Sequence, residues 1–276
     1  MLTGLAFFGV AVWVIETSDL RTAAAFPVWA CLVLGTAVAN CVVLHVGVAA
    51  GRRVGVVFTP WRVLGCAGLV VAVVGCSLAV GPVIGSSRDP RGTALVAASL
   101  AAAVPALTVL QAVGEGGWND AKDVPGRLTA FLLVMRSTRR VLFASGSLVA
   151  LTTLSLGAAV TVRQQALTGG RSVSELEVSG VVVIFGAIGS ALVAAVYTPA
   201  YLTLRRVSEM LTQAMFPLPA KVEDPVDATQ LLQALEQRAR LATVLGIGPG
   251  MWLDLQSSIA ILGPLISTAC AVLLAP

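Results

Sequence analysis

From Phe26 to Ala50 the sequence contains no Asp, Glu, Lys or Arg. Wound as an α-helix, that run is about 37 Å long at 1.5 Å per residue, enough to cross a hydrocarbon core of about 30 Å. Similar runs recur at 61–85, 93–114, 140–162 and 179–204, with shorter ones at 2–17 and 257–275. This repetition limits the fold more than anything else in the chain. Only 12% of the 276 residues are charged and 57% are hydrophobic, whereas soluble domains have about 25% charged and 45–50% apolar residues. A water-soluble monomer is excluded because it lacks the polar residues to cover its surface. A mean hydropathy of +0.91 excludes intrinsic disorder. The runs are continuous and do not alternate between apolar and polar, so helices are expected and not barrel strands. The expected fold is all-α: a polytopic transmembrane helical bundle of about seven spans with short cytoplasmic amphipathic helices.

Charged and turn residues divide the chain. Residues 1–114 are expected to form a first membrane bundle of four spans, followed by a cytoplasmic loop at 115–139 with an interfacial helix. Two further spans occupy 140–204, a cytoplasmic helical segment 205–256, and a final span 257–276. The stretch Met1–Ile15 has no basic residue ahead of its apolar run, which a secretory signal requires. It is therefore read as an uncleaved first span.

Orientation follows from the loops. Thirteen of the eighteen Lys and Arg residues flank or occupy the loops 51–60, 115–139 and 205–256; the other five are Arg21, Arg88, Arg91, Arg163 and Arg171. The basic-rich side is expected to be cytoplasmic, which places the N-terminus inside and the C-terminus outside. Tyr197 and Tyr201 stand one turn apart just before Arg205 and Arg206, a pattern expected at a membrane interface. These four residues, with Arg139 and Arg140 before the fifth span, are the expected interface anchors. The expected location is the plasma (inner) membrane, crossed several times.

Polar groups inside the spans are few. The second run carries Asn40 and His45, the only histidine. No Asp, Glu, Lys or Arg lies deep in a run, which argues against ion-coupled transport. Lys122 and Lys221 are in loops, so no span offers a Schiff-base amine. Cys41 and His45 share a helical face, with Cys66 at similar depth, but this set lacks a fourth ligand and a metal-site spacing. No metal and no cofactor is expected. The five cysteines all lie in apolar runs and read as small buried hydrophobes, not as a disulfide framework. No Walker loop, H-E-x-x-H or G-x-S-x-G is present.

Small residues mark helix faces that can approach closely: the alanines from Ala94 to Ala106, Gly81 and Gly85, and Gly186, Gly189 and Ser190. Pro82, Pro105, Pro199 and Pro264 lie inside runs and read as packing bends. The hydroxyls of the fifth run, Ser145, Ser147, Thr152, Thr153 and Ser155, are expected to bond their own backbone or a neighbouring helix. In the loops, Leu128, Phe131, Leu132 and Met135 form one stripe. Val207, Met210, Leu211, Ala214 and Met215 form another, continuing the sixth span. Phe216-Pro217-Leu218-Pro219 is expected to end that helix. Asp227 caps a further helix over 228–245, whose stripe Leu231, Leu232, Leu235 and Ala239 is the candidate partner-facing surface.

The expected function is non-catalytic: a scaffold, anchor or regulatory subunit acting through helix–helix and cytoplasmic contacts. Its expected partners are the lipid bilayer and another protein at 205–256 or along the small-residue faces, with a second copy of the chain as a further candidate. Nucleic acid is not expected, because no dense basic patch exists. The alternatives are a small-solute transporter or pore, and a membrane-embedded lipid-modifying enzyme with His45 as its general base.

Overall fold

In the computed structural model the described residues are 2–18, 23–56, 59–68, 71, 90–116, 124–167, 175–215, 232–233 and 235–240. They form helices, with no strand among them. The helices are α1 (Leu2–Glu16), α2 (Phe26–Val54), α3 (60–68), α4 (Pro90–Glu115), α5 (Val124–Leu167) and α6 (Glu175–Met215). Four stretches are long and apolar enough to cross a membrane: Phe26–Val54, Arg91–Glu115, Pro125–Arg163 and Ala187–Met215.

The remaining expected spans stand differently. The first run is a helix of 15 residues, about 22 Å long and short of a hydrocarbon core of about 30 Å. Its start lies beside the middle of α2, where the Cys41 thiol reaches the Gly4 carbonyl at 3.8 Å. Only 60–68 and residue 71 of the third run are described, and the final run at 257–275 lies outside the described residues. So do Pro82, Pro217, Pro219, Asp227, Leu231 and Pro264.

Local chemistry sets the helix ends. Pro27 occupies the first turn of α2, where a missing N–H costs nothing. The Ala25 N–H beside it donates to Gln165 Oε1 at 3.1 Å, so the last turn of α5 satisfies the start of α2. Gly55 (φ 71°) and Gly116 (φ 75°) follow α2 and α4. Both adopt the left-handed conformation that closes a helix C-terminus and that a Cβ disfavours.

Two glycine–proline crossings hold the bundle. A Cβ on Gly47 of α2 would lie 2.6 Å from the Ala106 nitrogen and 3.0 Å from the Pro105 carbonyl carbon of α4. Gly114 of α4 lies against Pro199 and Ala200 of α6. Each proline leaves one carbonyl of the preceding turn without its helical donor. A glycine opposite lets the two backbones close on that site, as small residues do between membrane helices. The expected packing role of Pro105 and Pro199 therefore has a concrete geometry. The Thr203 hydroxyl of α6 also donates to the Gly114 carbonyl at 2.8 Å, occupying one of the orphan acceptors at the end of α4. Thr203→Val is expected to lower the unfolding free energy by about 1 kcal/mol, measurable by thermal unfolding in detergent.

The largest departure from the sequence reading concerns α5. The sequence suggests a cytoplasmic loop over 115–139 whose interfacial helix leads into a span from Arg140. The structure has one helix over Val124–Leu167. Its 44 residues are about 66 Å long. The continuation of the sixth span, in contrast, is as expected: α6 runs unbroken to Met215. Phe131 and Val134 of α5 are buried with Leu204, Val207 and Leu211 of α6 in the same core as Val43 and Val113. The stripe over 128–135 therefore packs against protein.

Candidate functional site

Three features of the bundle contain the residues singled out from sequence. The first is a belt at one end. Arg62 pairs with Glu115, Gln111 Nε2 donates to Glu115 Oε1 at 3.3 Å, and the Cys66 thiol donates to Gln111 Oε1 at 3.4 Å. This chain of polar contacts ties α3 to the end of α4. It also places Cys66 on Gln111, away from Cys41, which lies on Gly4. Among the described residues, no group of His, Cys, Asp or Glu could hold a metal ion.

The rise per residue places the other anchors. Ser99 on α4 meets Thr152 on the antiparallel α5. About 12 residues further along each helix, or roughly 18 Å, stand Gln111 and the Arg139–Arg140 pair. Pro199 is against Gly114 at the same end, with the Tyr197 and Tyr201 rings 5.9 Å apart around it. Arg205 follows one turn later and pairs with Glu209 at 3.2 Å; the neighbouring Arg206 is exposed. Arg52 and Arg53 lie in the last turn of α2. The expected anchors Arg139, Arg140, Tyr197, Tyr201, Arg205 and Arg206 thus gather at one end of the bundle. Beyond the ends of α2 and α4, the first turns of α5 and the last turns of α6 continue for roughly 20 Å as an antiparallel pair.

The second feature is the polar interior. Asn40 is buried, whereas His45 is exposed on the outer surface of α2. The two candidates from one helix therefore have opposite surroundings. Two turns before the Gly47–Ala106 crossing, the same faces of α2 and α4 carry Asn40 and Ser99. Ser99 is 3.4 Å from the Thr152 hydroxyl. Asn40, Ser99 and Thr152 thus come to one level. Most threonines of the bundle return their hydroxyls to their own backbone: Thr36 to Leu32, Thr108 to Val104, Thr152 to Leu148 and Thr153 to Val149, each at 2.8 Å. This is the local bond available to threonine in a helix. Asn40 Oδ1 and the hydroxyls of Ser145, Ser155 and Ser190 are buried with no partner among the described residues.

The third feature was not visible from the sequence. A groove of about 590 Å³ runs between α2 and α5, from Gly35 and Leu151 at one end to Val46, Arg139 and Arg140 at the other. Its walls are apolar apart from Ser147, including Val42 and Phe143, and only its belt end carries charge. Its residues lie about 100 positions apart in sequence, so no motif connects them.

Leu232 and Leu235 are exposed in the helical stretch near the end of the described chain, as is Ala239. Glu236 and Arg240 beside them pair at 2.8 Å. One cysteine reading is corrected: Cys31 is exposed on α2 and Cys41 partly so, while Cys66 is buried. An apolar run determines that a cysteine sits in a helix but not which side faces out.

The chain matches no known protein family, curated protein or solved structure.

Proposed function

We propose that the protein is a non-catalytic subunit of the inner membrane, crossing it several times and holding the α5–α6 pair off the cytoplasmic face for another protein. The observation that carries this reading is the continuity of α5 and α6. Helices of 44 and 41 residues are each roughly twice the length of a spanning helix of about 20. Their excess lies at the arginine-rich end, which the distribution of basic loop residues assigns to the cytoplasm. Leu133 and Met210 are exposed on the projecting pair, and Leu232 and Leu235 further along the chain. Such apolar side chains suit a partner interface better than open water.

Two measurements test this. Cysteine introduced as Gln213→Cys is expected to react with a membrane-impermeant maleimide only after the cells are opened; labelling of intact cells would reverse the orientation. Full-length protein from its native membrane, in mild detergent, is expected to retain a stoichiometric partner that Leu133→Asp with Met210→Asp releases. A partner-free monomer would overturn the scaffold reading.

A solute path is the second reading, supported by the buried oxygens of Asn40, Ser145, Ser155 and Ser190 that lack partners among the described residues. Polar groups without partners inside a bundle invite water. Flux of neutral solutes or ions through liposomes containing the protein tests it, and no flux would retire it. For a lipid-modifying enzyme, His45 on the outer surface of α2 would face lipid directly, and His45→Ala would abolish that activity.

A further inference from the structure

The groove between α2 and α5 has the dimensions and charge of a binding site for one leaflet lipid. It extends along α5 from Arg139 to Leu151, about 18 Å at 1.5 Å per residue. Half of a hydrocarbon core of about 30 Å is about 15 Å, so the groove has the depth of one leaflet. Its walls are apolar except for Ser147 as far as the distal end, where Gly35 leaves room. A Cβ added at Gly35 meets nothing within 4 Å. Both charged lining residues are arginines and both stand at the belt end, where a head group would lie. Both are exposed. Among the described residues neither has a carboxylate partner, whereas Arg62, Arg205 and Arg240 do. Guanidinium groups match phosphate oxygens in a two-pronged geometry, and basic sites between membrane helices on the cytoplasmic side hold anionic head groups.

We infer that this groove binds an anionic phospholipid, with an acyl chain along α2 and α5 and its phosphate between Arg139 and Arg140. The inference rests on reading α2 and α5 as membrane spans, but not on the proposed scaffold role.

The test is lipid retention by the full chain, read by native mass spectrometry after reconstitution with equal parts of phosphatidylglycerol and phosphatidylcholine. Wild type is expected to retain phosphatidylglycerol by roughly thirtyfold over phosphatidylcholine, the scale expected of two surface arginines. Arg139→Gln with Arg140→Gln is expected to bring the two lipids to parity, and Arg205→Gln with Arg206→Gln to leave the preference unchanged. Gly35→Phe fills the far end in open space and is expected to reduce phosphatidylglycerol retention severalfold, with helix content by circular dichroism unaltered. Three results would overturn the site: parity in wild type, equal loss in the Arg205/Arg206 variant, or full retention in Gly35→Phe. Displacement of the lipid by inorganic phosphate alone would also overturn it, because the arginines would then be binding a free anion. A chain that stays in solution without detergent would instead overturn the membrane reading beneath it.

Discussion

Phe131→Ala is expected to lower the unfolding free energy of the detergent-solubilised protein by about 3–5 kcal/mol. Phe131 is fully buried and is the largest such side chain among the described residues. It lies in the part of α5 beyond the belt, in one core with Leu204, Val207 and Leu211 of α6 and partly buried Val54 of α2. The side chains of α2 and α6 packed on it relax only partly into the gap, so the cavity term adds to the lost transfer energy. Thermal unfolding followed by circular dichroism measures the change. Phe131→Leu retains most of the volume and is expected to cost under about 1.5 kcal/mol. A loss below about 1 kcal/mol for the alanine variant would mean that the pair does not pack as described.

Gly47→Leu is expected to cost about 3 kcal/mol or more, at or above the upper end for overpacked cores. The obstacle is backbone: a Cβ alone would lie 2.6 Å from the Ala106 nitrogen, and main chain cannot rotate away as a side chain can. The two helices must separate, which opens the crossing beside Pro105. Gly35→Leu, on the same helix but in open space, supplies the control. It is expected to leave the unfolding midpoint nearly unchanged. Equal effects from the two variants would mean that α2 and α4 do not meet at Gly47.

These two sites mark what the sequence could and could not reveal. Helical runs long enough to span were legible because hydropathy is summed along one segment and needs no knowledge of neighbours. The belt was legible because Tyr197, Tyr201 and the arginine pairs each sit at the end of such a run. The unity of α5 was not. Arg136, Arg139 and Arg140 look like a boundary in a one-dimensional reading, yet a change in side-chain polarity breaks no backbone hydrogen bond, and no glycine or proline lies between Arg127 and Ala144. The extent of α1 was legible too: the apolar run at 2–17 is a helix over Leu2–Glu16. The fates of Asn40 and His45 could not be separated either, since their spacing states their relative angle but not which other helix stands opposite. The groove was out of reach for the same reason: it exists only where two distant segments are laid side by side.

Neither α5 nor α6 ends at the belt, so each carries its projecting part and its bundle part on one helix. On the function proposed above, a sideways pull at Met210 would bear on α6 where Pro199, which removes one backbone hydrogen bond, rests on Gly114. Such an arm would convert a displacement of the projecting pair into leverage on the crossings within the bundle.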